Sequence, residues 1–120
     1  MELIEQKNFD RPDETDHPWD KVKGDWVSLM GQDVGRTTVE PGWNWKEHAA
    51  PVAGTERCEN FHVKLFTAGR FAVEYQDGTA SEFGAGDIAV LQPGHDAWVV
   101  GDEPVIYYSL GGIFKAAGGS

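Results

Sequence analysis

The segment FHVKLFTAGRFAVEYQDGTASEFGAGDIAVL, residues 61–91, decides the fold class. Within it Phe71, Val73 and Tyr75 alternate with Ala72, Glu74 and Gln76, the period of a half-buried strand. Asp77-Gly78 follows, a pair that tolerates positive φ and closes hairpins, and Thr79 to Phe83 reads as the returning strand. Upstream, Phe61 to Thr67 is a strand ended by Ala68-Gly69. Downstream, Gly84-Ala85-Gly86-Asp87 turns the chain into the short apolar run Ile88 to Leu91.

The same punctuation continues outward. Pro93-Gly94 turns into Ala97 to Val100, and Val105 to Leu110 closes the set. On the other side, Asp25 to Met30 is a strand, Gly31-Gln32-Asp33 a turn, and Arg36 to Trp45 a second strand broken by Pro41-Gly42. Residues 49–60 are polar and broken, hence a loop. No long segment repeats apolar residues every 3.6 positions. About eight short strands joined by tight turns predict an all-β antiparallel barrel or jelly roll.

At 120 residues one domain is expected, large enough for a core without disulfides. The organisation predicted is an acidic N-terminal arm over 1–24, a barrel over 25–115 and a flexible tail over 116–120. Twenty acids against ten bases give a net charge of −10, and no basic cluster is present to neutralise phosphates. A nucleic-acid partner is therefore excluded, and an anionic membrane surface with it. No apolar run is long enough to span a bilayer, and no signal peptide is visible. A single cysteine, Cys58, fits a reducing compartment, so a cytoplasmic protein is expected. Half of the net charge falls in residues 1–20, which read as a solvated arm or as an edge strand exchanged with a neighbouring subunit.

The residues able to carry chemistry are His17, His48, Cys58, His62 and His95. Imidazole and thiolate suit a divalent transition metal. The spacings Cys58-x3-His62 and His48-x9-Cys58 are not those of a zinc finger, so any metal site depends on the fold bringing separate strands together. His17, between Asp16 and Pro18, reads as a surface residue.

Pro41-Gly42 ahead of a histidine, His62 seven residues before Gly69, Gly86-Asp87 and Pro93-Gly94-His95 together resemble the two motifs of the cupin superfamily. The resemblance covers about residues 35–112. Phe9 to Glu14, Pro41 to His48 and Gly94 to Pro104 are similar to a group of small bacterial single-domain cupins without a settled activity. It implies a double-stranded β-helix barrel with a metal-type site at its wide mouth, and often a homodimer. The family's His-x-His pair is missing, and His62 stands in the place of the motif's glutamate. Two registers follow. In one, His48 supplies a first-motif histidine ahead of an insertion; in the other, Glu56 and Cys58 replace the two histidines. The ligand set implied is His48, Cys58, His62 and His95, with Glu56 as the alternative ligand. The ion would be one divalent transition metal, zinc or iron first, with nickel or manganese as further options.

Trp43, Trp45, Trp98 and Tyr75 are candidates to line a small-molecule pocket, although such residues more often form core. The function expected is a metal-binding cupin that binds or acts on a small organic molecule. An enzyme of this kind would be an oxidoreductase, isomerase or lyase; fold alone does not choose. Asp96 and Glu56 are the nearest candidates for a general base. The competing readings are a metal-free binding or sensory barrel, and a redox sensor acting through Cys58.

Overall fold

The computed structural model describes residues 3–110; the expected tail, 116–120, and residues 111–115 lie outside them. Among the described residues nine strands form two antiparallel sheets. They are β1 (Glu14–Asp16), β2 (Val22–Leu29), β3 (Gln32–Val39), β4 (His62–Ala68), β5 (Arg70–Tyr75), β6 (Ala80–Phe83), β7 (Ile88–Leu91), β8 (His95–Val100) and β9 (Val105–Ser109). The larger sheet runs β1-β2-β3-β9-β4-β7 and the smaller β6-β5-β8. The architecture is the expected all-β jelly roll, with the core between the inner faces of the two sheets.

The core is aromatic. Phe66 has no solvent exposure and lies 5.7 Å from Phe71, 5.3 Å from Phe83 and 5.7 Å from Tyr107, centroid to centroid. Rings drawn from β4, β5, β6 and β9 thus tie both sheets to one point.

The Asp77-Gly78 hairpin forms as read. Gly78 N–H donates to Tyr75 O, Gly78 takes φ 91°, and Asp77 Oδ1 accepts from Thr79 N–H. The first hairpin turns one residue earlier than expected, at Met30-Gly31, where both residues have positive φ (46° and 82°). The longer strand expected up to Trp45 stops at Val39. Asn44 instead caps a helical turn: its Oδ1 accepts from Glu47 N–H, one π-type turn covers Trp45–Ala49, and α1 (Ala50–Ala53) follows.

The acidic segment lies back on its own chain. Glu14 pairs with Trp26 in β2, and Asp13 Oδ2 accepts from both Lys7 Nζ and Ser28 N–H. Phe9 packs against Tyr108 and under the Arg36 guanidinium. No helix among the described residues is long and apolar enough to cross a membrane.

Gly69 makes the β4–β5 turn possible. Its φ is +73°, and a Cβ there would overlap the Pro104 carbonyl oxygen. Gly78 has a similar φ of +91° but open space around it. Left-handed backbone costs an L-residue roughly 1–2 kcal/mol, and overlap with fixed backbone adds to that. Gly69→Ala is therefore expected to lose about 3 kcal/mol in urea unfolding, and Gly78→Ala about 1 kcal/mol. Equal losses at the two positions would remove the role assigned to Pro104.

Candidate metal centre

Strand β4 is inverted relative to hydrophobic expectation. His62, Lys64 and Phe66 are buried, while Val63 and Leu65 are only half-buried. A slip of one residue would exchange the two sets and bury the aliphatic side chains instead. The pairing holds His62 opposite Leu91 in β7 and Lys64 opposite Ser109 in β9, so the polar pair faces inward. β8 presents the buried His95, Ala97 and Val99 from the smaller sheet.

Cys58 joins them through backbone pairing. Its N–H donates to His95 O (2.8 Å), and Gly94 N–H donates to Cys58 O (2.6 Å), a bridge that holds the end of the 49–60 loop beside β8. Cys58 Sγ lies 3.3 Å from His62 Nε2, and the rings of His62 and His95 meet edge to face with centroids 5.4 Å apart. One ligand atom from each of Cys58, His62 and His95 lies within 4.8 Å of the others, and all three residues are buried. Metal bonds of about 2.0–2.3 Å place two ligand atoms of one tetrahedral ion roughly 3.3–3.8 Å apart, so small side-chain rotations would close the group on an ion.

The support behind His95 fixes its useful nitrogen. His95 Nδ1 lies 2.8 Å from Gln92 O, and Tyr75 Oη donates to the same carbonyl at 2.8 Å. A carbonyl only accepts, so the imidazole proton is assigned to Nδ1 and the Nε2 lone pair is left for a ligand. This is the arrangement that orients metal-binding histidines.

Burial also sets the charges. It pushes His62 down to about 2, helped by the Lys64 ammonium and by His95, and it lowers His95 as well. Burial raises the Cys58 thiol. Without an ion the group is therefore neutral at neutral pH: two imidazoles and one thiol, the thiol within hydrogen-bond distance of His62 Nε2. An ion would displace the thiol proton on binding.

The three residues open onto a cavity of about 340 Å³, counted out to its mouth. It is narrow, with room for one or two waters or a few heavy atoms. Trp19, Trp43, Trp45, Phe71 and Tyr107 line it, with Trp43 stacked on Phe71 at 6.0 Å. Trp19 packs 6.1 Å from Trp43 and edge-on to Trp45 at 5.5 Å.

Of the residues singled out from the sequence, the fold brings together Cys58, His62 and His95, with Trp43 and Trp45 beside them. His48 is not among the three. It sits in the π-type turn, half-buried, with Nδ1 3.1 Å from Asn44 N. Glu56 is exposed, at a separate surface groove with Lys46 and Arg57. Trp98 lies between Ala97 and Val99 in β8 and so points to the opposite face. Asp96 shares that face, with Lys46 Nζ 3.5 Å from its carboxylate. Tyr75 supports His95 rather than lining the cavity, and His17 is exposed. Trp19 and Lys64 are among the lining residues that the sequence did not single out. Trp19 sits in the acidic segment, where an indole beside Pro18 was the available signal. Lys64 shares parity with His62, a signal masked by the aliphatic residues on either side.

No family model matches the chain, and no curated protein matches it. Its fold is shared with solved structures. A DUF1255 protein of unknown function from Acidithiobacillus ferrooxidans superposes with a TM-score of 0.60 at 17% identity, over 82% of this chain and 86% of that one. A cupin-like protein from Thermotoga maritima gives 0.51 at 13% identity, over 91% and 79%. Oxalate decarboxylase from Lactobacillus farciminis gives 0.58 at 12% identity, over 91% of this chain but 33% of that one. These likenesses establish a cupin-like fold.

Proposed function

We propose that this chain is a small metal-binding cupin. Cys58, His62 and His95 would hold one divalent transition ion, with a further coordination position open toward the tryptophan-lined cavity for water or a small organic molecule. The observation that carries this reading is the convergence of three buried side chains, one thiol and two imidazoles, from three separate parts of the chain. Polar groups are not buried without partners at no cost, and β4 keeps two of them inside while leaving Val63 and Leu65 partly in water. One thiolate and two imidazoles suit zinc first and iron second. Three protein ligands rather than four is the count found where an ion also meets a substrate. A bound ion would supply Lewis acidity to whatever occupies the open position. The protein's own contribution is to fix the His95 tautomer through Gln92 and to narrow access with Trp19, Trp43 and Trp45. The single buried thiol also fits a reducing, cytoplasmic setting.

The test is elemental analysis of protein purified without a histidine tag, followed by zinc titration. One zinc per chain is expected. Chelator should lower the melting temperature by more than about 5 °C, because a ligand bound only to the folded state stabilises it. Protein that carries no ion and takes none up would return the cavity to a metal-free binding role.

A further inference from the structure

Lys64 is not used by the metal reading, yet among the described residues it is the most deeply buried cation. It is 4% exposed and lines the same cavity as Cys58, His62 and His95. Its ammonium lies 4.0 Å from the Tyr107 ring centroid and 5.3 Å from that of Phe71. Aromatic faces attract a cation but do not neutralise it. Among the described residues no carboxylate lies within salt-bridge distance of Lys64, and no acidic side chain lines the cavity. This is unexpected in a chain with twenty acids and ten bases, where a buried ammonium had many candidate partners.

A second set of groups points to the same kind of occupant. Trp43 and Trp45 line the cavity, and the buried Nε1 of each has no hydrogen-bond partner. Buried N–H donors are nearly always paired. The cavity thus holds one unneutralised cation with no acidic side chain to meet it, and two of the indoles around it carry unused donors. A divalent ion on Cys58, His62 and His95 would add further positive charge close to Lys64.

We propose that the cavity binds a small organic carboxylate, with its oxygens directed to the Lys64 ammonium and its carbon body against the aromatic walls. This deepens the metal-centre reading and rests on it for the location of the acting site, whereas the pairing with Lys64 needs no ion. The narrow interior limits the ligand to a few heavy atoms near Lys64. The rings around it favour a carbon-bearing anion over a fully hydrated inorganic one.

Acetate is the probe, acetamide its uncharged isostere, inorganic phosphate the competing oxyanion and sodium chloride the ionic-strength control. Binding is read by tryptophan fluorescence and by melting temperature, on chelator-treated and on zinc-loaded protein. Acetate is expected to saturate and to raise the melting temperature in both forms, with acetamide and chloride at least tenfold weaker. Lys64→Met keeps the length and volume of the side chain without its charge. It should weaken acetate at least tenfold, leave zinc stoichiometry at one, and melt above the parent protein in the absence of anion. Acetate no better than acetamide, phosphate tighter than acetate, or a Lys64→Met protein that binds acetate normally would each overturn the proposal. Zinc binding without acetate saturation would sink the carboxylate site and leave the metal centre. Acetate saturation in a protein that takes up no zinc would do the reverse.

Discussion

His62→Ala is expected to lower zinc affinity at least about a hundredfold, and His48→Ala to leave it unchanged. Loss of a residue that merely supports a ligand typically costs 10–100-fold in affinity, so removal of a ligand should cost at least the upper end, about 2.7 kcal/mol. His62 is placed for that role: its Nε2 lies 3.3 Å from Cys58 Sγ, and its ring meets that of His95 inside the barrel. His48 is committed elsewhere, held to the Asn44 backbone in the π-type turn. Competition with a chromophoric chelator measures both variants, and melting curves show whether each folds. A His48→Ala protein that loses zinc as completely as His62→Ala would restore the register in which His48 is a ligand.

The contrast between these two histidines shows what the sequence made legible. Strands were readable where local alternation and turn chemistry agreed, as in Phe71 to Tyr75 and the Asp77-Gly78 hairpin. Trp43 and Trp45 have the spacing of a strand too, yet Asn44 followed three residues later by Glu47 is a helix-start signal, and the cap formed. That local choice turned His48 away from the three ligand candidates. Cys58 reaches His95 through backbone pairing across 37 positions, a contact that no spacing rule encodes. Lys64 was missed for a different reason. A pattern reader puts Val63 and Leu65 inside, and only the pairing of β4 with β7 and β9 reverses that choice. The fold was legible because it follows from many weak local signals that agree. The site was legible only in part, because at β4 the local signal points the wrong way.

Acid should expose the cost of that inversion. The chelator-treated protein is expected to lose stability steadily as pH falls below about 6.5, with roughly 3 kcal/mol gone by pH 4.5 through His62 alone. In the unfolded chain an imidazole titrates near 6.5. In the folded protein burial, with Lys64 and His95, holds His62 down to about 2. Between those values the unfolded state binds a proton that the folded state refuses, so stability rises with pH across the window and is flat above it. Each such histidine contributes a slope of up to about 1.4 kcal/mol per pH unit. His95, lowered by burial, steepens the upper part of the window. Asp25 does not imitate the effect. Burial raises its carboxyl, but the hydrogen bonds from Arg36 and Thr15 outweigh this and hold it below 3.8, so its contribution is lost only at lower pH. Urea unfolding at pH 7, 6 and 5 measures the slope, and His62→Asn should reduce it by about 1.4 kcal/mol per unit. A stability unchanged between pH 7 and pH 5 would mean that His62 meets solvent or a carboxylate in the folded protein, and the buried neutral group would be lost. Adding zinc should steepen the same profile, since protons then compete with the ion for the lone pairs that burial has kept unprotonated.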